Sequence, residues 1–153
     1  MRINGINAYL IVFVFLYMFS CTGTTKISDD QLLIRMEKTP CYGACPVYTL
    51  TIDQKGNGLF EGVENTEHVG QYPFRLSKKQ LQQLKASFIE AGFFKMEDKY
   101  DAFVSDLPTV FLTYHSKGKK KKIMDYYGAP QELKDLEKQI EALVLTRKMR
   151  KIN

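Results

Sequence analysis

The sequence predicts an α+β domain built on one mainly antiparallel sheet, with elements in the order ββββαββα and both helices packed on one face. Two observations carry this reading. Short segments with apolar residues at alternate positions are separated by turns marked by Gly, Asn and Pro, as in half-buried antiparallel strands. Two longer segments repeat apolar residues every three or four positions, and each is preceded by a helix-start signal. Runs of strands followed by a helix, rather than strict alternation, favour a sheet with its helices segregated to one side.

The first strand is predicted where Leu32, Ile34 and Met36 alternate with Leu33, Arg35 and Glu37, and Thr39-Pro40 ends it because a residue before proline avoids the helical region. Tyr48, Leu50 and Ile52 then share one face, opposite Val47, Thr49 and Thr51. Lys55-Gly56-Asn57-Gly58 is a turn signal and leads into Leu59 to Glu64, completing a hairpin. Val69 to Leu76 reads as a fourth strand, with Pro73 suited to an edge or a bulge. Ser77-Lys78-Lys79-Gln80 fits a capping box for a helix carrying Leu81, Leu84 and Phe88, which Gly92 stops. Phe93, Phe94 and Met96 are expected to tuck under the sheet, before an acidic, aromatic loop from Asp98 to Pro108. Thr109 to His115 and Lys119 to Tyr127 form a strand pair around Ser116-Lys117-Gly118. Pro130 suits the first turn of a last helix whose apolar face is Leu133, Leu136, Ile140 and Leu143.

The chain has 153 residues, room for one ordinary domain, with 44% hydrophobic and 25% charged residues, near the globular average. Its net charge of +5 is concentrated in Lys117, Lys119, Lys120, Lys121 and Lys122 and in Arg147, Lys148, Arg150 and Lys151. The rest is mildly acidic, which argues against a nucleic-acid binder. Ahead of the domain, Arg2 precedes an unbroken apolar run, Ala8 to Phe19. Twelve helical residues rise about 18 Å, short of the roughly 30 Å hydrocarbon core, so the run reads as an export signal and not a span.

Met18-Phe19-Ser20-Cys21 resembles the lipobox of bacterial lipoproteins. That resemblance implies cleavage before Cys21 and acylation of its sulfur and new amine, with ordinary signal cleavage after Gly23 as the alternative. Thr22 is not the Asp that commonly retains such proteins in the inner membrane, so the resemblance implies the periplasmic leaflet of the outer membrane, ahead of the inner membrane or secretion. The expected division is signal peptide 1–20, polar tether 21–29, one domain 30–146 and basic tail 147–153, the tail complementing the last helix's dipole and then fraying.

Within the domain, Thr39-Pro40-Cys41-Tyr42-Gly43-Ala44-Cys45-Pro46-Val47-Tyr48 resembles the CYGxCP-type signature of family 6438 of bacterial domains of unknown function. Asp106-Leu107-Pro108-Thr109 and Tyr127-Gly128-Ala129-Pro130 are similar to that family's other landmarks, and the likeness runs from about Leu32 to Val144. Members are often secreted or lipid-anchored. The resemblance implies no activity and no cofactor.

Cys41 and Cys45 are expected to form a disulfide, since a close thiol pair in an oxidising compartment usually oxidises and Gly43 lets the chain bend. Two sharper alternatives stay open. Thiol redox chemistry would prefer Cys-x-x-Cys at a helix start, whereas here the pair runs into Pro46 and a strand. A metal site would recruit His68 and His115 to the two cysteines. Asp98, Asp101, Asp106 and Asp125 are read as structural, Asp106 as a turn residue, since nothing in the spacing pairs them for acid–base work. The lysine run is read as a solubilising hairpin tip, with anionic headgroups as an alternative. Gly56-Asn57-Gly58 precedes a strand and so is no phosphate loop. The expected function is a non-enzymatic envelope module without a cofactor, tethered to the membrane. It binds a protein or polymer partner through a patch of Tyr42, Tyr48, Tyr100, Asp106 and Tyr127; a thiol- or metal-dependent enzyme using Cys41 and Cys45 is the alternative.

Overall fold

The computed structural model describes residues 27–104, 106–147 and 150–152. The expected signal peptide and Cys21 lie outside the described residues. The elements are β1 (Leu32–Lys38), β2 (Val47–Asp53), β3 (Asn57–Glu64), β4 (Gly70–Arg75), α1 (Lys78–Glu90), a 3₁₀ turn (Phe93–Lys95), β5 (Lys99–Tyr100), β6 (Val110–Ser116), β7 (Lys119–Asp125) and α2 (Gln131–Leu145). They confirm the ββββαββα order, with a two-residue β5 added in the loop after α1.

All seven strands form one sheet in the order β4-β3-β2-β1-β6-β7-β5. Every neighbouring pair is antiparallel except β5, which runs parallel to the end of β7. The first four strands are a meander built from local hairpins; α1 then carries the chain back so that β6 pairs with β1. Pro73 sits in β4, the edge strand, where a missing N–H costs no ladder bond on the open side.

Register explains the core. Met36 lies between Leu50 and Leu112, and Ile34 between Ile52 and Tyr114, so one sheet face is a continuous apolar floor. Leu84 and Phe88 of α1 and Leu133, Leu136, Ile140 and Val144 of α2 pack into the same cluster, covering that face. Fully burying one such side chain contributes about 1.5–3 kcal/mol. The opposite face is polar: Thr113 pairs with Arg35 and Lys122, Thr49 with Glu37 and Glu61, and Lys122 lies 4.2 Å from the centre of the Phe111 ring.

Local chemistry sets the ends of the elements. Ser77 Oγ accepts the Gln80 N–H while Gln80 Oε1 accepts the Ser77 N–H, the reciprocal capping box. In the β2–β3 turn the Asp53 carboxylate accepts the backbone N–H groups of Lys55 and Asn57, each at 2.8 Å. Lys117 and Gly118 both take positive φ, the two-residue turn that matches strand twist between β6 and β7.

Four expectations need correction. A register shift between Leu32 and Ile34 interrupts strict alternation, so Leu32 and Leu33 are both buried. Phe93 is buried against Phe88 and Tyr114, but Phe94 keeps 37% of its surface exposed. Pro130 is the N-cap of α2, one residue before its first turn. Arg147 does not fray: its guanidinium donates to the carbonyls of Leu143 and Arg75 and to Gln80 Oε1, tying the end of α2 to β4 and α1.

Candidate functional site

Because β1 and β6 are antiparallel, the end of β1 and the start of β6 meet at one end of the sheet, where Lys38 pairs with Val110. The loops that leave this end are the Cys41–Cys45 segment, the stretch before β6 and the turn after β7. Three landmarks far apart in sequence therefore gather in one place. The Thr39 N–H donates to the Thr109 carbonyl and the Thr109 N–H to Thr39 Oγ1, both at 3.0 Å, clamping the first loop to the second. Tyr126 joins the third: its hydroxyl donates to the Val104 carbonyl at 2.6 Å, and its N–H to the Tyr100 carbonyl at 3.0 Å.

Cys41 and Cys45 are joined in a disulfide, with their Cα atoms 5.7 Å apart. The Gly43 N–H points at Cys41 Sγ, and Asn65 Nδ2 donates to the Cys45 carbonyl, seating the loop against the β3–β4 turn. This closed loop presents Tyr42, 91% exposed, to solvent. Joined sulfurs are not the thiolates that a nucleophile or a metal needs. His115 sits near the far end of β6, past Tyr114, so the four-residue metal arrangement is not assembled. His68 packs instead beside Phe60 and Tyr72. Among the described residues no three His, Cys, Asp or Glu side chains converge as metal ligands.

The expected aromatic patch is partly assembled. Tyr42 and Tyr127 are exposed at this end, and Asp106 is exposed with φ of 72°. Tyr100 is half-buried, packs against the core, and its hydroxyl accepts the Glu97 N–H. Tyr48 corrects the expectation: it is buried beneath α2, and its hydroxyl donates to Glu141 Oε1. Period-two spacing had already placed it with Leu50 and Ile52. The exposed apolar side chains that join Tyr42 and Tyr127 on these loops are Phe103, Val104 and Leu107.

Beneath the loops lies a polar layer that the sequence reading missed. Glu141 accepts from both Tyr48 and Lys38, the latter at 3.0 Å. Burial first, then the bond to Glu141 and its charge, push the Tyr48 hydroxyl well above the usual tyrosine range. One helical turn back, Glu137 meets Asp125 at the end of β7, with Lys134 ion-paired to Asp125. Asp125 is 2% exposed and Glu137 is 7% exposed. Asp125 Oδ2 is held by the Lys134 ammonium, whereas Asp125 Oδ1 and Glu137 Oε1 lack a hydrogen bond from a protein donor. A proton on Glu137 resolves this, because a carboxylic acid donates to a carboxylate whereas two carboxylates only accept. Burial first, and then the Asp125 charge, raise the Glu137 carboxyl to about 8 against the pull of Lys134.

The available signal was helical spacing. Glu137 follows Leu133 by four and precedes Ile140 by three, which puts a carboxylate on the apolar stripe of α2. The pair is largely closed from solvent and forms part of the floor under the loops.

No curated protein matches the chain. Over residues 32–144, from the start of β1 to the last turn of α2, it matches a domain of unknown function, DUF6438, and it belongs to that family.

Proposed function

We propose that this chain is a lipid-anchored envelope protein, held through Cys21 on the periplasmic face of the outer membrane, whose domain is a non-enzymatic binding module. Its partner, a protein or an envelope polymer, is bound at the loop-bearing end of the sheet. The observation that carries the reading is the convergence there of the three segments that resemble family landmarks, with Tyr42 and Tyr127 exposed on them. Tyrosines of this kind supply large contact area at low entropic cost, as in many recognition surfaces. The closed disulfide supports recognition, since it pins the loop that presents Tyr42.

The test is site-specific photocrosslinking in intact cells, with the crosslinker at 42, at 127 and, as a control, at Lys117 on the opposite end. The expected result is one common adduct from 42 and 127, absent from 117 and lost from the 42 position in Tyr127→Ala. Adducts that differ between the two positions, or arise equally from 117, would contradict a single binding end.

A further inference from the structure

We propose that the opposite end of the sheet is a membrane-docking surface, which lies on the anionic leaflet carrying the chain's own lipid anchor. This inference rests on the lipid-anchor reading and adds a second contact and a fixed orientation to it.

Three observations meet at this end. The first is where the tether enters. The described chain begins at Ile27 and runs into β1 at Leu32, while Asp29 pairs with Lys120 of β7 at 2.6 Å, tying the entry segment to the β6–β7 turn. Five residues separate Cys21 from Ile27, and the six Cα–Cα steps between them span at most about 20 Å. An acylated Cys21 therefore holds this end against the bilayer, while the landmark loops lie a full strand length further out.

The second is charge. The β6–β7 turn and the first residues of β7 place Lys117, Lys119 and Lys120 at this end, the β2–β3 turn adds Lys55, and the 3₁₀ turn adds Lys95. Asp29, Asp30, Asp53 and Glu90 oppose them, and among the described residues only Lys120 of the five lysines is in an ion pair. The excess is positive and faces the direction of the tether. Each such cation beside an anionic leaflet favours the docked state by roughly fivefold.

The third is an apolar depression of about 310 Å³ between the end of α1, the 3₁₀ turn and the β6–β7 turn. Its walls include Phe93, Tyr114, Ile89 and Phe94, and Lys95, Lys117 and Lys119 stand on its rim. Ile89 is 69% and Phe94 37% exposed. Aliphatic and aromatic side chains ringed by lysines suit the boundary between headgroups and acyl chains: the apolar groups enter and the ammonium groups stay with the phosphates. A solubilising hairpin tip requires the lysines but not the apolar wall between them.

The chain contains no Trp, so one introduced indole reports a single position. The full mature chain, acylated at Cys21, is reconstituted into vesicles of phosphatidylethanolamine and phosphatidylglycerol with and without bromine-labelled acyl chains. With Phe94→Trp or, as a second reporter, Ile89→Trp, bromine is expected to quench emission by about twofold. Tyr127→Trp is expected to stay unquenched. Adding Lys95→Gln, Lys117→Gln and Lys119→Gln should lower the docking equilibrium constant on the order of a hundredfold and remove most of the quenching, with the protein still vesicle-bound through its acyl chains. Vesicle-bound protein whose indoles at 94 and 89 are unquenched, or quenched no more than that at 127, would overturn the docking surface and leave the anchor standing. A mature chain without acyl groups would overturn both, and intact mass separates that outcome from the first.

Discussion

Replacing Glu137 by Gln tests the buried carboxyl pair. The folded protein holds the Glu137 proton up to about 8, against an ordinary 4.5, so the native state binds this proton more tightly than the unfolded chain does. The associated stability is complete below 4.5 and is lost as pH rises through about 8. At 1.36 kcal/mol per tenfold change in proton affinity, the loss is bounded at about 3 kcal/mol by pH 7 and about 4 kcal/mol by pH 8. The groups facing Glu137 are Asp125, which opposes its ionisation, Lys134, which favours it, and Glu141. A Gln side chain donates its amide N–H to Asp125 as the protonated acid does, and it does not titrate. Urea unfolding followed by circular dichroism at pH 5, 6.5 and 8 should show the parent protein weakening with pH while Glu137→Gln stays nearly level. The two should agree within about 1 kcal/mol at pH 5, and the variant should lead by about 3 kcal/mol at pH 8, or roughly 10 °C in melting temperature. Parallel pH profiles for the two proteins would refute a shared proton.

Other perturbations separate the parts of the landmark-bearing end. Cys41→Ser with Cys45→Ser opens a very short loop and should cost about 2 kcal/mol in the urea midpoint, without changing the secondary structure. Tyr48→Phe removes one of the two donors to Glu141 and should cost about 1–3 kcal/mol, while partner capture persists because the ring stays buried. Gly62→Ala would place a Cβ 1.9 Å from the His68 carbonyl oxygen, so the backbone between β3 and β4 must shift. The expected cost is about 1–3 kcal/mol by thermal melting, and a neutral result would mean that the approach of those two segments is not tight.

The order of the elements was legible because the first two strands alternate, turn signals mark the other hairpin strands, and each helix has its own start signal. Strand order was not: pairing β1 with β6 depends on a long-range crossover that leaves no local mark. β5, at two residues, is too short for a period and exists because it lies along the end of β7. In the site, exposed Tyr42 and Tyr127 were legible as aromatics on non-periodic loops. Tyr48 was misplaced because its membership of a landmark was weighed above its alternation with Leu50 and Ile52. Glu137 and Glu141 went unseen because a carboxylate on an apolar helix stripe gains meaning only once Asp125, Tyr48 and Lys38 are known to lie beneath it.

Intact mass spectrometry of the mature protein from its native membranes tests the anchoring reading most directly. Anchoring predicts a chain that starts at Cys21 and carries two or three fatty acyl groups. A chain that starts at Thr24, or that carries no acyl mass, would contradict it.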